Sequence, residues 1–336
     1  MTIMLDIKPK QGNNICTISA IGNIISFYGI ERKEYEVYII SDGFNTSYCD
    51  GYVAINSLKE ISDSFYKHGL FHAEWSKPNV NEASKVIFAI EKGMPVIVLI
   101  NSDFLRFDPR LTKKYGFLRS FIIYGVNTET GMFSLYDTFY IDEEQTIDVI
   151  DFEVPIVELL RNAREYLIIE PPKQKEIHCD LRALLIKNLK EYLNEPKGEP
   201  GEGVYRRQNA VHFHIERIEE ILFRGDAEDK SKACYYISNT IRYGTFIPMT
   251  SYLIDYFSER ETPCEVELLD ELKALKTVWN IISNKAIKLT LSKKPQAQLD
   301  FIEKYRQAFE RTTKFLRKMI SILESENSKE RIQYED

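Results

Sequence analysis

Residues 94–139 limit the fold more than any other stretch. They read "MPVIVLIN", a polar loop, "RSFIIYGVN", "TETG" and "MFSLYDTF". A short β-branched run bounded by polar residues is a buried strand. Three such runs, the last two joined by a turn, predict a hairpin lying beside the "PVIVLI" strand. Helical patterns surround them. "INSLKEISDSFYKHGL" has helical spacing and ends at Gly69, and "NEASKVIFAIEKG" offers Asn81 as a cap and Gly93 as a stop. "VPIVELLRNARE" predicts a helix with Pro155 near its first turn, and "YLIIEPP" a strand stopped by two prolines. "YEVYIIS" fits either a strand or the end of a helix.

The character changes near residue 175. "IHCDLRALLIKNLKEYL" is an amphipathic helix, and "NEPKGEPGEGVYRR" is a Gly/Pro-rich loop. Periodic Lys/Glu/Leu-rich segments follow at 208–223, 227–242, 246–258, 264–287 and 296–324, and they predict a helical bundle. The expected division is 1–172, 173–328 and a frayed polar tail, 329–336.

Composition narrows the function. A net charge of −7 and no dense Lys/Arg block argue against a nucleic-acid surface. No apolar run approaches the ~20 residues that cross a bilayer. The start "MTIMLDIKPKQ" lacks a basic flank followed by an apolar stretch, so no secretory signal is expected. The five cysteines, Cys16, Cys49, Cys179, Cys234 and Cys264, are scattered and never in C-x-x-C spacing. That fits a reducing cytoplasm and no structural metal. His212 and His214, two apart on an expected helix, point away from each other and make a poor metal pair. Asp142, Glu143 and Glu144 suit a turn better than acid–base work.

Cys16 is placed differently from the other four. In "QGNNICTISAIGNIISFYGI", Ile18, Ile21, Ile24, Ile25 and Tyr28 mark one helix face. Asn13 and Asn14 are candidate caps and Gly29 the stop. Cys16 then falls in the first turn, where unpaired N–H groups and the helix dipole favour a thiolate. A small buried apolar residue is the plainer reading. Position alone leaves both open.

A cysteine opening a long helix is followed by Gly-x-Pro, an apolar strand, a second strand ending in Tyr-Gly, a turn, and a strand reaching Asp. In the stretches "CTISAIGNIISFYGI", "EKGMPVIVLINSDFLRFDP", "FLRSFIIYGVNTETG" and "FSLYDTF", the chain resembles the family of the N-terminal domain of butirosin biosynthesis protein H. That family is related to the double-glycine (C39) peptidases and papain-like enzymes. The resemblance covers most of residues 8–170. It implies an α+β, papain-like domain with an antiparallel sheet, followed by an all-α helical domain able to cover a groove or build a homodimer.

It also implies roles. Cys16 becomes the nucleophile and Asp137 the orienting acid. Gln11 or Asn14 becomes an oxyanion donor beside the Cys16 backbone, although Gln11 lies one residue closer to Cys16 than the family pattern has it. The family's histidine falls at Arg119 or Ser120, and neither is a histidine. The only histidines are His68, His72, His178, His212 and His214. The reaction implied is acyl transfer from a carrier-protein phosphopantetheine thioester to an amine, with no other cofactor. Its partners would be an acyl or peptidyl carrier protein and a small-molecule amine, in cytoplasmic specialised metabolism. "KPK", "RLTKK" and "VYRR" are the basic candidates for docking an acidic carrier, though short charge runs are usually only surface. The alternative is a catalytically dead pseudoenzyme serving as a binding or scaffold module. A true peptidase is disfavoured, because amide cleavage needs the missing proton donor most.

Overall fold

In a computed structural model of the chain, residues 1–49, 51–55, 57–68, 71–77, 83–101, 117–141, 146–172, 179–194, 205–260, 263–289 and 295–333 are described. The chain divides into two compact units. One is Met1–Ser41 with Ser57–His178; the other is Asp42–Asn56 with Cys179–Asp336. The second unit therefore takes in a short early segment that the sequence pattern does not separate from its neighbours.

The first unit is built on a seven-stranded antiparallel sheet. Its strands are β1 (Thr2–Met4), β4 (Ala73–Ser76), β5 (Val96–Asn101), β6 (Leu118–Asn127), β7 (Met132–Ile141), β8 (Ile147–Pro155) and β9 (Ala163–Ile169). The order is β4-β9-β5-β6-β7-β8, and β1 pairs with the far end of β6. The β6–β7 hairpin turns at 128–131, where Gly131 supplies a φ of +68°. It lies beside the "PVIVLI" strand in the register Val96↔Ile123.

Helices cover both faces of this sheet. α1 (Cys16–Phe27) packs on β6 and β7. α2 (Glu34–Ile40) packs on α1, and α3 (Leu58–Lys67) on β4 and β9. On the opposite face, Val86, Ala89 and Ile90 of α4 (Ala83–Glu91) and Leu159 and Leu160 of α5 (Ile156–Asn162) join Val98, Phe121, Phe133 and Leu135 in one buried cluster.

Among its described residues the second unit has the hairpin β2 (Ser47–Cys49) and β3 (Tyr52–Ala54), six helices and a π-helical turn, Thr240–Gly244. The helices are α6 (Leu181–Leu193), α7 (Arg207–Arg224), α8 (Ala227–Asn239), α9 (Phe246–Ser258), α10 (Pro263–Leu289) and α11 (Pro295–Gln333). Trp279 stacks on Phe246 at 3.7 Å, and its indole N–H donates to Thr312 Oγ1. The hairpin is tied in by Tyr48 N–H to the Tyr205 carbonyl and Val53 N–H to Thr240 Oγ1, both 3.0 Å.

"YEVYIIS", open between a strand and the end of a helix, is the helix α2, its start held by the Glu36 carboxylate, which accepts from Lys33 N–H at 3.0 Å. Several expectations are corrected. The helix expected over 154–165 shrinks to Ile156–Asn162, because Val154 and Pro155 finish β8 and residues from Ala163 pair with β5. β8, at one edge of the sheet, has Asp148, Asp151 and Glu153 among its apolar residues; such charges blunt an edge and hide the strand pattern. The tail from 329 remains helical as far as Gln333. Neither Asn13 nor Asn14 caps α1; the cap position is Ile15 and has no side-chain hydrogen bond. Gly29 stops α1 as expected, at φ +79°. Asn81, Gly69 and residues 142–144 lie outside the described residues.

Candidate functional site around Cys16

The loop before α1 is threaded onto the sheet by backbone contacts. Gly12 N–H donates to the Thr138 carbonyl at 2.8 Å. A Cβ on Gly12 would stand 2.4 Å from Ser19 Oγ, so only glycine allows the loop this close. Asn23, in the middle of α1, accepts from Lys10 N–H at 2.6 Å and donates to the Lys10 carbonyl at 3.0 Å. Ser19 Oγ donates to Thr138 Oγ1 at 2.9 Å. These polar contacts fix where the first turn of α1, and hence Cys16, meets the strands.

Strand alternation then decides which side chains face the cysteine. Ser120 of β6 faces α1: its hydroxyl and that of Thr17 lie 2.8 Å apart. Its backbone favours the charged form of the Cys16 thiol. Thr138 of β7 faces the same way, through Ser19. Arg119 shares a face with Phe121, whose ring it lies over at 5.4 Å, and Asp137 shares one with Phe133 and Leu135. That is the α4/α5 side of the sheet. Of the two sequence candidates for the histidine position, Ser120 is thus the one turned toward Cys16.

Arg119 and Asp137 hold each other. Arg119 Nη2 donates to Asp137 Oδ2 and, at 3.2 Å, to the Phe139 carbonyl. Asp137 Oδ1 accepts from Phe139 N–H at 3.0 Å. Arg119 is 3% exposed and Asp137 0%, so this is a buried ion pair. Asp137 is a counter-ion for a guanidinium, which cannot shuttle a proton at neutral pH.

The thiol is held in its neutral form. Burial of the sulfur pushes the Cys16 pKa up. The Ser120 backbone, the Arg119 charge and the Thr17 hydroxyl pull it down, Asp137 pushes it up, and the net shift is upward. Cys16 keeps a partly exposed edge. The enclosed sulfur nevertheless sets the balance, since desolvation acts on the atom that carries the charge. Helix α1 has neither a side-chain cap nor an acidic residue in its first turn, so its terminal N–H groups stay available to an anion.

The other sequence candidates divide. Gln11 donates its amide to the Ile147 carbonyl at 2.6 Å and is thereby engaged. Asn14 is half-buried, and its amide has no hydrogen bond among the described residues. His72 pairs with Glu170 at 3.0 Å just ahead of β4. β4 is three strands from β6, about 14 Å at ordinary strand spacing. His68 closes α3, which packs on β4 and β9. His178 lies outside the described residues, and His212 and His214 belong to the second unit. Of the basic runs, Lys10 pairs with Glu31, Arg207 binds Asp42 and Glu191, and "RLTKK" lies outside the described residues.

Thr17 and Ser19 were missed at the sequence level. Both are buried polar residues, as is Asn23, on a helix whose other buried positions are isoleucine and alanine. Polar side chains on the core side of an apolar helix need partners, and that was the available signal. Among the described residues no group of three or more His, Cys, Asp or Glu could hold a metal, and no helix is long and apolar enough to cross a membrane. Comparison with protein-family models and with curated proteins finds no match for this chain.

Proposed function

We propose that the first unit is a papain-like pseudoenzyme: a cysteine site kept in shape but, among the described residues, lacking the base that would make it turn over, and serving as a binding module. The observation that carries this reading is the Thr17–Ser120 hydroxyl pair beside Cys16. A hydroxyl there accepts and donates hydrogen bonds but does not take a proton from a thiol at neutral pH. Loss of general acid–base help costs about 10²–10⁴-fold in rate. The raised Cys16 pKa removes the thiolate as well. The partner proposed is the one the family resemblance implies, a thioester-bearing acyl or peptidyl carrier.

A second reading, acyl transfer through Cys16, draws on the uncapped first turn of α1 and on the Ser120 backbone, which favours the charged form of the sulfur, both suited to a developing anion. One experiment separates them. The protein is incubated with an acyl N-acetylcysteamine thioester and followed by intact mass, with Cys16→Ala as the blank. The pseudoenzyme reading expects no acyl adduct at Cys16. An adduct that forms in the wild-type protein and is discharged by an added amine establishes acyl transfer instead.

A further inference from the structure

The second unit carries a cavity of about 280 Å³ between the end of α10 and the start of α11. It is lined by Leu289, Ala297 and Phe301, by three lysines, Lys285, Lys288 and Lys304, and by Asp300. Leu289 and Phe301 are 9% and 3% exposed, so the apolar part is a floor and the lysines form the rim. Among the described residues no carboxylate forms an ion pair with any of the three lysines. Asp300 turns one oxygen to the Gln296 amide, at 2.8 Å.

Three cations therefore converge with little to neutralise them. Of the charges around Lys285, that of Lys304 acts most strongly, and, followed by burial, it pushes the Lys285 pKa down. Lys285 and Lys288 sit in the last turns of α10, where a cation complements the helix dipole. Lys304 is well inside α11, so the dipole does not account for it. Like charges gathered around an apolar hollow are relieved by an anion.

We infer that this cavity binds a small amphiphilic anion: a phosphate or carboxylate headgroup held by Lys285, Lys288 and Lys304, with a short apolar stem on Leu289, Ala297 and Phe301. The cavity is near the lower limit of small-molecule sites, roughly 300 Å³, which suits a short stem and not a large cofactor. The site is independent of the cysteine and of the function proposed for it.

The test is calorimetric titration of the full chain with octyl phosphate below its micelle concentration. Inorganic phosphate at matched ionic strength, phosphatidate-doped vesicles and the uncharged octyl glucoside are run in parallel. The expected result is saturable binding of octyl phosphate, weaker binding of inorganic phosphate and none of the glucoside. The Lys285→Gln/Lys304→Gln double variant, changed at two exposed positions, should bind octyl phosphate at least tenfold more weakly. Equal binding by variant and wild type overturns the inference. So does octyl phosphate binding no better than inorganic phosphate, and so does binding to vesicles without binding to free octyl phosphate.

Discussion

The hydroxyls of Ser120 and Thr17 stand 2.8 Å apart, joining β6 to the first turn of α1 next to Cys16. Position 120 is one from which a general base would reach that cysteine. Ser120→His places an imidazole there. The variant is predicted to alkylate at Cys16 at least tenfold faster than wild type near pH 7, read by peptide mass after iodoacetamide. An unchanged rate would show that the site is closed to a base for some other reason.

The Arg119–Asp137 pair serves the sheet in this account. Removing one partner strands a buried charge, so Asp137→Ala and Arg119→Ala are each predicted to lose about 3–5 kcal/mol in urea unfolding. Replacing both by residues of similar volume, Arg119→Met with Asp137→Leu, should cost much less than the sum. Full additivity of the single losses would mean that the two side chains do not interact.

Gly12 and Gly22 should respond oppositely to alanine. A Cβ at Gly12 meets Ser19 Oγ at 2.4 Å, whereas at Gly22 the nearest atom is 3.9 Å away. Gly12→Ala is predicted to destabilise by about 1–3 kcal/mol through overpacking. Gly22→Ala, inside α1, should stabilise by up to about 1 kcal/mol. Urea midpoints of the two variants test the pair together.

The second unit should be acid-sensitive through His214. This side chain is fully buried on α7, with Nδ1 3.2 Å from Tyr305 Oη. Burial lowers its pKa to about 3, against a backbone contact with Gly51 that favours the charged form. The unfolded chain binds a proton near pH 6.5 and the folded chain only near 3, so stability rises with pH across that window. The contribution is complete above about 6.5 and lost as pH falls through about 3. His214→Gln is predicted to flatten this slope. Asp42 works in the opposite sense: burial raises its carboxyl to about 6, so its effect on stability declines with rising pH between about 4 and 6. Thermal melts of wild type, His214→Gln and Asp42→Asn across pH 3–8 resolve the two.

Much of the first unit was legible because its central strands are buried on both faces and read as continuous apolar runs: Val96–Asn101 and Leu118–Asn127. α1 showed through its isoleucine spacing. The edges did not show. β4, β8 and the three-residue strands β1, β2 and β3 are short or charged on one side, and three residues cannot display a period. Residues 42–56 go with the helical unit because of tertiary contacts such as Val53 to Thr240, which no local pattern encodes. Which of Arg119 and Ser120 faces α1 was undecidable from spacing. It followed once Thr17 and Ser19 showed which face of β6 and β7 meets α1. Thr17 itself was passed over because a single threonine in a helix is ordinary.

The most direct measurement is the rate of Cys16 alkylation by iodoacetamide against pH, followed by peptide mass so that the other four cysteines are separated, with Cys16→Ala as the blank. The account predicts a rate below that of a free thiol throughout and rising only above about pH 8.5, the ordinary range of a cysteine. A rate that is fast and flat down to pH 6 would mean a stabilised thiolate at the head of α1, and would contradict the pseudoenzyme reading.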